Sequence, residues 1–271
     1  MKVNLFDSHV HSDNSPDGHH AIPYLCEQAI QNRIMGFAVT DHMECDDKNA
    51  AAMEMGVRQA AFEVERSRSS FGNAVRLSKG IELAQGHRCP EFAEHILSLT
   101  DFDFVLGSVH TTPDGTDFYY ADFSNPALVV SELLTEYYTD LNRLAVWNRF
   151  DAMAHIRYPE RYIWGEHRIP VDIHPYMEQI EQLLRTLIQN GKALEVNTAG
   201  LRKGLGAPDP GREILELYRQ LGGELITLGS DAHFAEHMAD GFDDTMDLLL
   251  TLGYRYFAFY SNRKPVMLRI I

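Results

Sequence analysis

Short, almost wholly apolar runs alternate along the chain with longer segments in which apolar residues recur every three or four positions. The short runs fall at 3–9, 37–42, 76–83, 104–110, 151–156, 193–197 and 225–230, with a further β-rich run at 254–260. Apolar runs of this length read as strands buried on both faces. Between them, Val130, Leu133, Leu134, Tyr137, Tyr138, Leu141, Leu144 and Ala145 keep helical spacing, as do Met177, Ile180, Leu183, Leu184, Leu187 and Ile188. Asn190-Gly191 tolerates the left-handed backbone that ends a helix. Asn125-Pro126 and Asp209-Pro210 read as helix starts, a capping side chain followed by proline at the first helical position. Repeated strand–helix units predict a parallel sheet with helices outside. Seven or eight such units in 271 residues predict one closed α/β barrel filling residues 1–271. An open doubly wound sheet is the alternative, and without a GxGxxG or P-loop its nucleotide-binding forms are disfavoured.

Composition alters this picture little. The chain is 45% hydrophobic and 23% charged, an ordinary globular balance that argues against disorder. A net charge of −15 disfavours nucleic acid and an anionic membrane surface as partners. No apolar run approaches the roughly 18 residues of a transmembrane helix. Cys26, Cys45 and Cys89 are scattered, with no CxxC, and the opening residues show no signal-peptide core. A cytoplasmic location without a disulfide framework is therefore expected.

The 13 histidines change the picture more. Together with carboxylates they gather at the C-terminal ends of the predicted strands: Asp7-Ser8-His9-Val10-His11, Thr40-Asp41-His42, Gly80-Ile81-Glu82, Gly107-Ser108-Val109-His110, Ala154-His155 and Ser230-Asp231-Ala232-His233. In a parallel α/β barrel these ends converge on one face, the usual place for catalysis. Residues i and i+2 of an extended chain point the same way. His9 with His11, and Asp231 with His233, can therefore each grip one ion or two adjacent ions. Imidazole and carboxylate suit zinc, manganese or iron. Two or three such ions at one mouth could polarise a phosphoryl oxygen and convert water to hydroxide.

In these motifs the sequence resembles the polymerase-and-histidinol-phosphatase, or PHP, superfamily, over nearly the whole chain. The resemblance implies a distorted (β/α)7 barrel with a trinuclear metal site. One ion would take His9, His11, Glu82 and Asp231; a second would share Glu82 with His110 and His155; a third would take Asp17, His42 and His233. Asp17, in Ser15-Pro16-Asp17-Gly18, resembles the histidinol-phosphatase branch, although Pro-Asp-Gly is also strong turn chemistry. The segments from His155 to Tyr162 and from Glu195 to Gly204 resemble that branch too, bringing Arg161 and Arg202 toward phosphate, with Arg157 the substitute for Arg161. Arginine forks match phosphate oxygens. Glu44 is a candidate to attract a cationic substrate amine. Asp17 or His233 is the candidate proton donor to the leaving group.

The implied function is metal-dependent hydrolysis of L-histidinol phosphate to L-histidinol and phosphate, a step of histidine biosynthesis. Another phosphomonoester or a nucleotide as substrate is the first competitor. A non-catalytic binding domain is the second, disfavoured by the full ligand set. A metal-dependent amidohydrolase would carry lysine at the fourth strand end, where this chain has His110.

Overall fold

The computed structural model describes residues 4–125 and 128–271. The apolar runs form β1 (Phe6–Val10), β2 (Gly36–Val39), β3 (His42–Glu44), β4 (Arg76–Ala84), β5 (Phe104–Ser108), β6 (Ala152–Met153), β7 (Ala193–Asn197), β8 (Ile226–Gly229), β9 (Tyr256–Ser261) and β10 (Lys264–Arg269). The sheet runs β1-β2-β4-β5-β6-β7-β8-β9-β10, with β3 also paired to β4. Every pairing is parallel except that of β9 with β10. β1, β2, β5, β7 and β8 are buried along their whole length, as expected of strands with helices on the outer face.

The segments between are α1 (Ile22–Gln31), α2 (Ala50–Phe71), α3 (Pro90–Leu97), α4 (Val130–Trp147), α5 (Glu160–Ile163), α6 (Met177–Gln189), α7 (Ala199–Arg202), α8 (Arg212–Gln220) and α9 (Phe242–Thr251). α6 buries Ile180, Leu183, Leu184 and Leu187, a stripe that packs on α4. It stops at Asn190, and Gly191 follows with φ +63°. Among the described residues, no helix is long and apolar enough to cross a membrane.

Two sets of contacts join strands that are distant in the sheet order. At the C-terminal ends, the Asp231 N–H donates to the His9 carbonyl (2.8 Å) and the His11 N–H to the Ala232 carbonyl (2.9 Å), joining β1 to the segment after β8. At the N-terminal ends, β9 passes beneath the other strands. Phe259 stacks on Phe6 (4.4 Å) and Tyr260 on Phe104 (5.0 Å). The Ser78 hydroxyl donates to the Tyr260 carbonyl at 2.8 Å.

Several boundaries differ from expectation. The run 37–42 divides into β2 and β3, and 151–156 keeps only two residues of strand before His155 turns to φ +40°. Asp209-Pro210 does not start a helix. Gly211 occupies the N-cap of α8, and the Asp209 carboxylate instead accepts the Arg157 N–H at 3.2 Å. Asn125-Pro126 does not start a helix at that point either: the Leu128 N–H donates to the Asn125 carbonyl in a turn and α4 begins at Val130 with Val129 as its N-cap, while Pro126 itself and the beginning of the first run at Val3 lie outside the described residues. β10 has no counterpart among the predicted strands.

Candidate metal centre

The polar ends of the strands meet at one point. Glu82, fully buried on β4, lies at the centre. Its Oε1 sits 2.8 Å from His155 Nε2 and 3.0 Å from His110 Nε2, and its Oε2 sits 2.8 Å from His42 Nδ1 and 3.4 Å from His9 Nε2. Asp231 Oδ1 is 3.3 Å from His11 Nε2 and 3.6 Å from His9 Nε2. Asp17, the exposed member, places Oδ2 3.0 Å from His233 Nε2 and 3.6 Å from His42 Nε2. All nine residues expected as ligands thus converge. Four groups of donors lie close enough to hold an ion: His9, His11 and Asp231; His9, Glu82 and His155; His42, Glu82 and His110; His11, His42 and His233.

The nitrogens themselves test whether metal fits. His9 Nε2 lies 3.0 Å from His11 Nε2, His110 Nε2 lies 3.4 Å from His155 Nε2, and His42 Nε2 lies 3.4 Å from His233 Nε2. Imidazoles aimed at one another in this way leave lone pairs face to face, an arrangement a shared divalent cation satisfies. Their opposite nitrogens are held. His9 Nδ1 meets Glu195 Oε1 (2.7 Å), His110 Nδ1 meets Glu44 Oε1 (2.7 Å), His11 Nδ1 meets Ser15 Oγ (3.2 Å) and His233 Nδ1 meets the Asp231 carbonyl (3.1 Å). Such partners fix the tautomer and turn the other nitrogen to a metal.

Charge follows the same plan. Burial pushes the Glu82 carboxyl up, but the surrounding His110, His9, His42 and His155 outweigh it and hold it well below the usual carboxylate range. Burial likewise pushes Asp231 up, and His9 and Arg161 pull it well below. Both buried carboxylates are thus ionised, the state in which they can face a cation.

The backbone is bent to serve the site. Asp231 and His155 have φ of +54° and +40°, a left-handed conformation uncommon for such residues and frequent at functional sites. The Asp17 loop is tied by Asp41, whose carboxylate accepts both the N–H and the hydroxyl of Ser12 (2.6 and 2.7 Å). Ser15 Oγ accepts the His42 N–H at 2.9 Å. A Cβ at Gly18 would lie 1.8 Å from the Ser12 carbonyl oxygen, so only glycine allows this turn.

The three candidate arginines separate. Arg161 is buried and donates from Nη1 to Asp231 Oδ2 at 2.6 Å, while its Nε and Nη2 have no hydrogen-bond partner. Arg202 donates to the Ser230 carbonyl at 2.5 Å and leaves Nη1 without a hydrogen-bond partner. Arg157 turns away and is held by both carboxylate oxygens of Glu160. Glu44 lines the site, but one of its oxygens holds His110 and the other accepts the Gln85 amide (2.7 Å). Glu195 is the principal residue that sequence reasoning missed. It stands two positions before Asn197 on β7, so strand alternation already put it on that residue's face.

The PHP domain family model matches residues 7–199. A probable histidinol-phosphatase of Thermotoga maritima is 29% identical over 268 residues, covering 98% of this chain and 100% of the relative. The histidinol-phosphatase of Lactococcus lactis subsp. lactis is 25% identical over 272 residues, 95% of each chain. Among solved structures, histidinol phosphate phosphatase from Lactococcus lactis subsp. lactis Il1403, complexed with zinc, L-histidinol and phosphate, shares the fold with a TM-score of 0.78. It is 21% identical and the match covers 97% of this chain and 99% of that one.

Proposed function

Since the chain belongs to the PHP domain family, we propose that it is a metal-dependent phosphomonoesterase hydrolysing L-histidinol phosphate to L-histidinol and phosphate, a step of histidine biosynthesis carried out in the cytoplasm. The observation that carries the reading is the buried ring of facing imidazole nitrogens around Glu82, with the partnerless N–H groups of Arg161 beside Asp231. The full-length relatives named for the same activity support the substrate. The chain is read as one domain, a distorted (β/α)7 barrel of β1, β2, β4, β5, β6, β7 and β8. The hydrogen bonds from the Asp231 N–H to the His9 carbonyl and from the His11 N–H to the Ala232 carbonyl support closure.

His9, His11, Glu82 and Asp231 would hold one ion, Glu82, His110 and His155 a second, and Asp17, His42 and His233 a third. Bound there, divalent zinc, manganese or iron supplies the charge that activates water and neutralises the phosphoryl oxygens. The chain's own residues do the rest. Arg161 presents two N–H groups to the phosphate while Asp231 fixes its third. Arg202 steadies the end of β8 through the Ser230 carbonyl, and its Nη1, 3.6 Å from the Asp240 carboxylate, would have to be shared with phosphate. Of the two candidates for passing a proton to the leaving alkoxide, Asp17 has none to give, because burial pushes its carboxyl up but His233 and His42 outweigh it and keep it ionised; the role would fall to His233 at the open edge. Arg157 is committed to Glu160 and takes no part.

The test is direct. Purified protein supplied with manganese, zinc or iron should release phosphate from L-histidinol phosphate, and chelation should abolish the release. Metal-replete protein that leaves this substrate intact would overturn the reading.

A further inference from the structure

We propose that Asp117 selects the substrate by its cationic nitrogen, so that the site takes phosphomonoesters carrying an ammonium or imidazolium group a few bonds from the phosphate. The inference rests on the phosphatase reading above and adds the residue that recognises the remainder of the substrate.

The segment after β5 folds back on itself. Thr111 and Asp117 pair in an antiparallel bridge, and the Phe118 N–H donates to the His110 carbonyl at 3.0 Å. Asp117 is thereby held next to the backbone of His110, and its near neighbour Tyr119 packs edge-on against Tyr162. One of its oxygens accepts the Tyr119 N–H at 2.8 Å. Among the described residues no lysine or arginine pairs with it. A half-buried carboxylate with no cation is incompletely satisfied, and a cationic ligand completes it. Glu44, the other acidic side chain on this side, is already bonded to His110 and Gln85.

The surroundings suit such a group. The Tyr158 ring stacks on His155 at 5.2 Å, the Tyr162 hydroxyl donates to the Tyr158 hydroxyl at 3.0 Å, and Tyr119 meets Tyr162 edge-on at 5.7 Å. Aromatic faces thus run from a candidate ligand out to Tyr119, which is 54% exposed. Aromatic faces attract cations and stack on flat rings. The cluster reads the phosphate end of the substrate, and Asp117 with this wall reads the other.

Asp117→Asn keeps an acceptor for the Tyr119 N–H and removes the charge. The probes are L-histidinol phosphate, 2-aminoethyl phosphate and 2-(imidazol-4-yl)ethyl phosphate, each compared with ethyl phosphate. The ratio of kcat/KM for a cationic probe over ethyl phosphate should fall about 10- to 100-fold in the variant, mainly through KM. Asp117→Glu should restore part of it, and inhibition by inorganic phosphate should persist. An equal loss on all probes, which leaves the ratio unchanged, would overturn the proposal, as would no loss at all. Wild-type protein that spares histidinol phosphate yet prefers 2-aminoethyl phosphate in an Asp117-dependent way would sink the histidinol assignment and sustain this one. Histidinol phosphate turnover with an unmoved ratio would do the reverse.

Discussion

A Cβ at Gly229 would lie 2.4 Å from Glu195 Oε1 and 2.6 Å from His9 Cβ. Only glycine lets the Glu195 carboxylate reach His9 Nδ1. Glu195→Gln and Gly229→Ala should therefore weaken metal retention by about 10- to 100-fold, although neither residue is placed as a ligand. Competition against a chromogenic chelator measures it, and wild-type retention in both variants would show that His9 needs no orienting partner. Arg161→Lys keeps a charge near Asp231 but loses the planar fork. Its kcat/KM should drop about 10-fold or more at unchanged metal content; full activity would remove Arg161 from the phosphate site. The convergence of eight of the nine candidate ligands was legible in the sequence because i, i+2 pairs and strand-end positions carry geometry, whereas Asp17 was found through the family resemblance. The occupation of Glu44 by His110 was not, because it depends on how the segment after β2 lies across β4 and β5. Asp117 left no signal either, since its place comes from a turn whose return to His110 no local pattern announces.

At the scale of elements, the β9–β10 hairpin is the part the sequence concealed. β10 is exposed at nearly every position, and its apolar stretch is only Val266-Met267-Leu268 after a proline, too short a run to mark a strand. β9 by contrast was visible as an apolar run, though its path beneath the strands was not. Asp103 pins this hairpin. Its carboxylate accepts the Asn262 N–H (2.8 Å) and the Lys79 N–H (2.9 Å) and pairs with Arg68. Burial pushes the Asp103 carboxyl up, but these donors outweigh it and hold it below the usual range. A carboxyl depressed in the folded state contributes stability above its unfolded value near pH 4, and that contribution is lost as pH falls through the folded value. Asp103→Ala should cost about 1–3 kcal/mol near neutrality by leaving buried N–H groups unpaired. Denaturant titrations across pH should show the gap to wild type narrowing as the medium is acidified. A gap that is constant or widens toward acid would contradict the assignment.

Across the whole molecule, the candidate ligands are spread over β1, β3, β4 and the segments after β1, β5, β6 and β8, so ions held there would brace much of the sheet. A ligand present at about 100 times its dissociation constant adds about 2.7 kcal/mol to the folded state. For a chain of this size, chelation should lower Tm by about 5 °C or more for each ion removed. Calorimetry with and without chelator checks this, and an unmoved Tm would mean the ions add nothing to the fold. The junction where Asp231 and His11 bond across to His9 and Ala232 has a consequence for biosynthesis. His9 and His11 leave the ribosome long before Asp231 and His233, which lie on the far side of seven strands in chain order. A nascent or prematurely terminated polypeptide offers the early imidazoles without the late carboxylate, and metal cannot be locked in place. Loading of the full cluster is thereby deferred until translation has passed His233, and bound ions would mark a chain made at least that far.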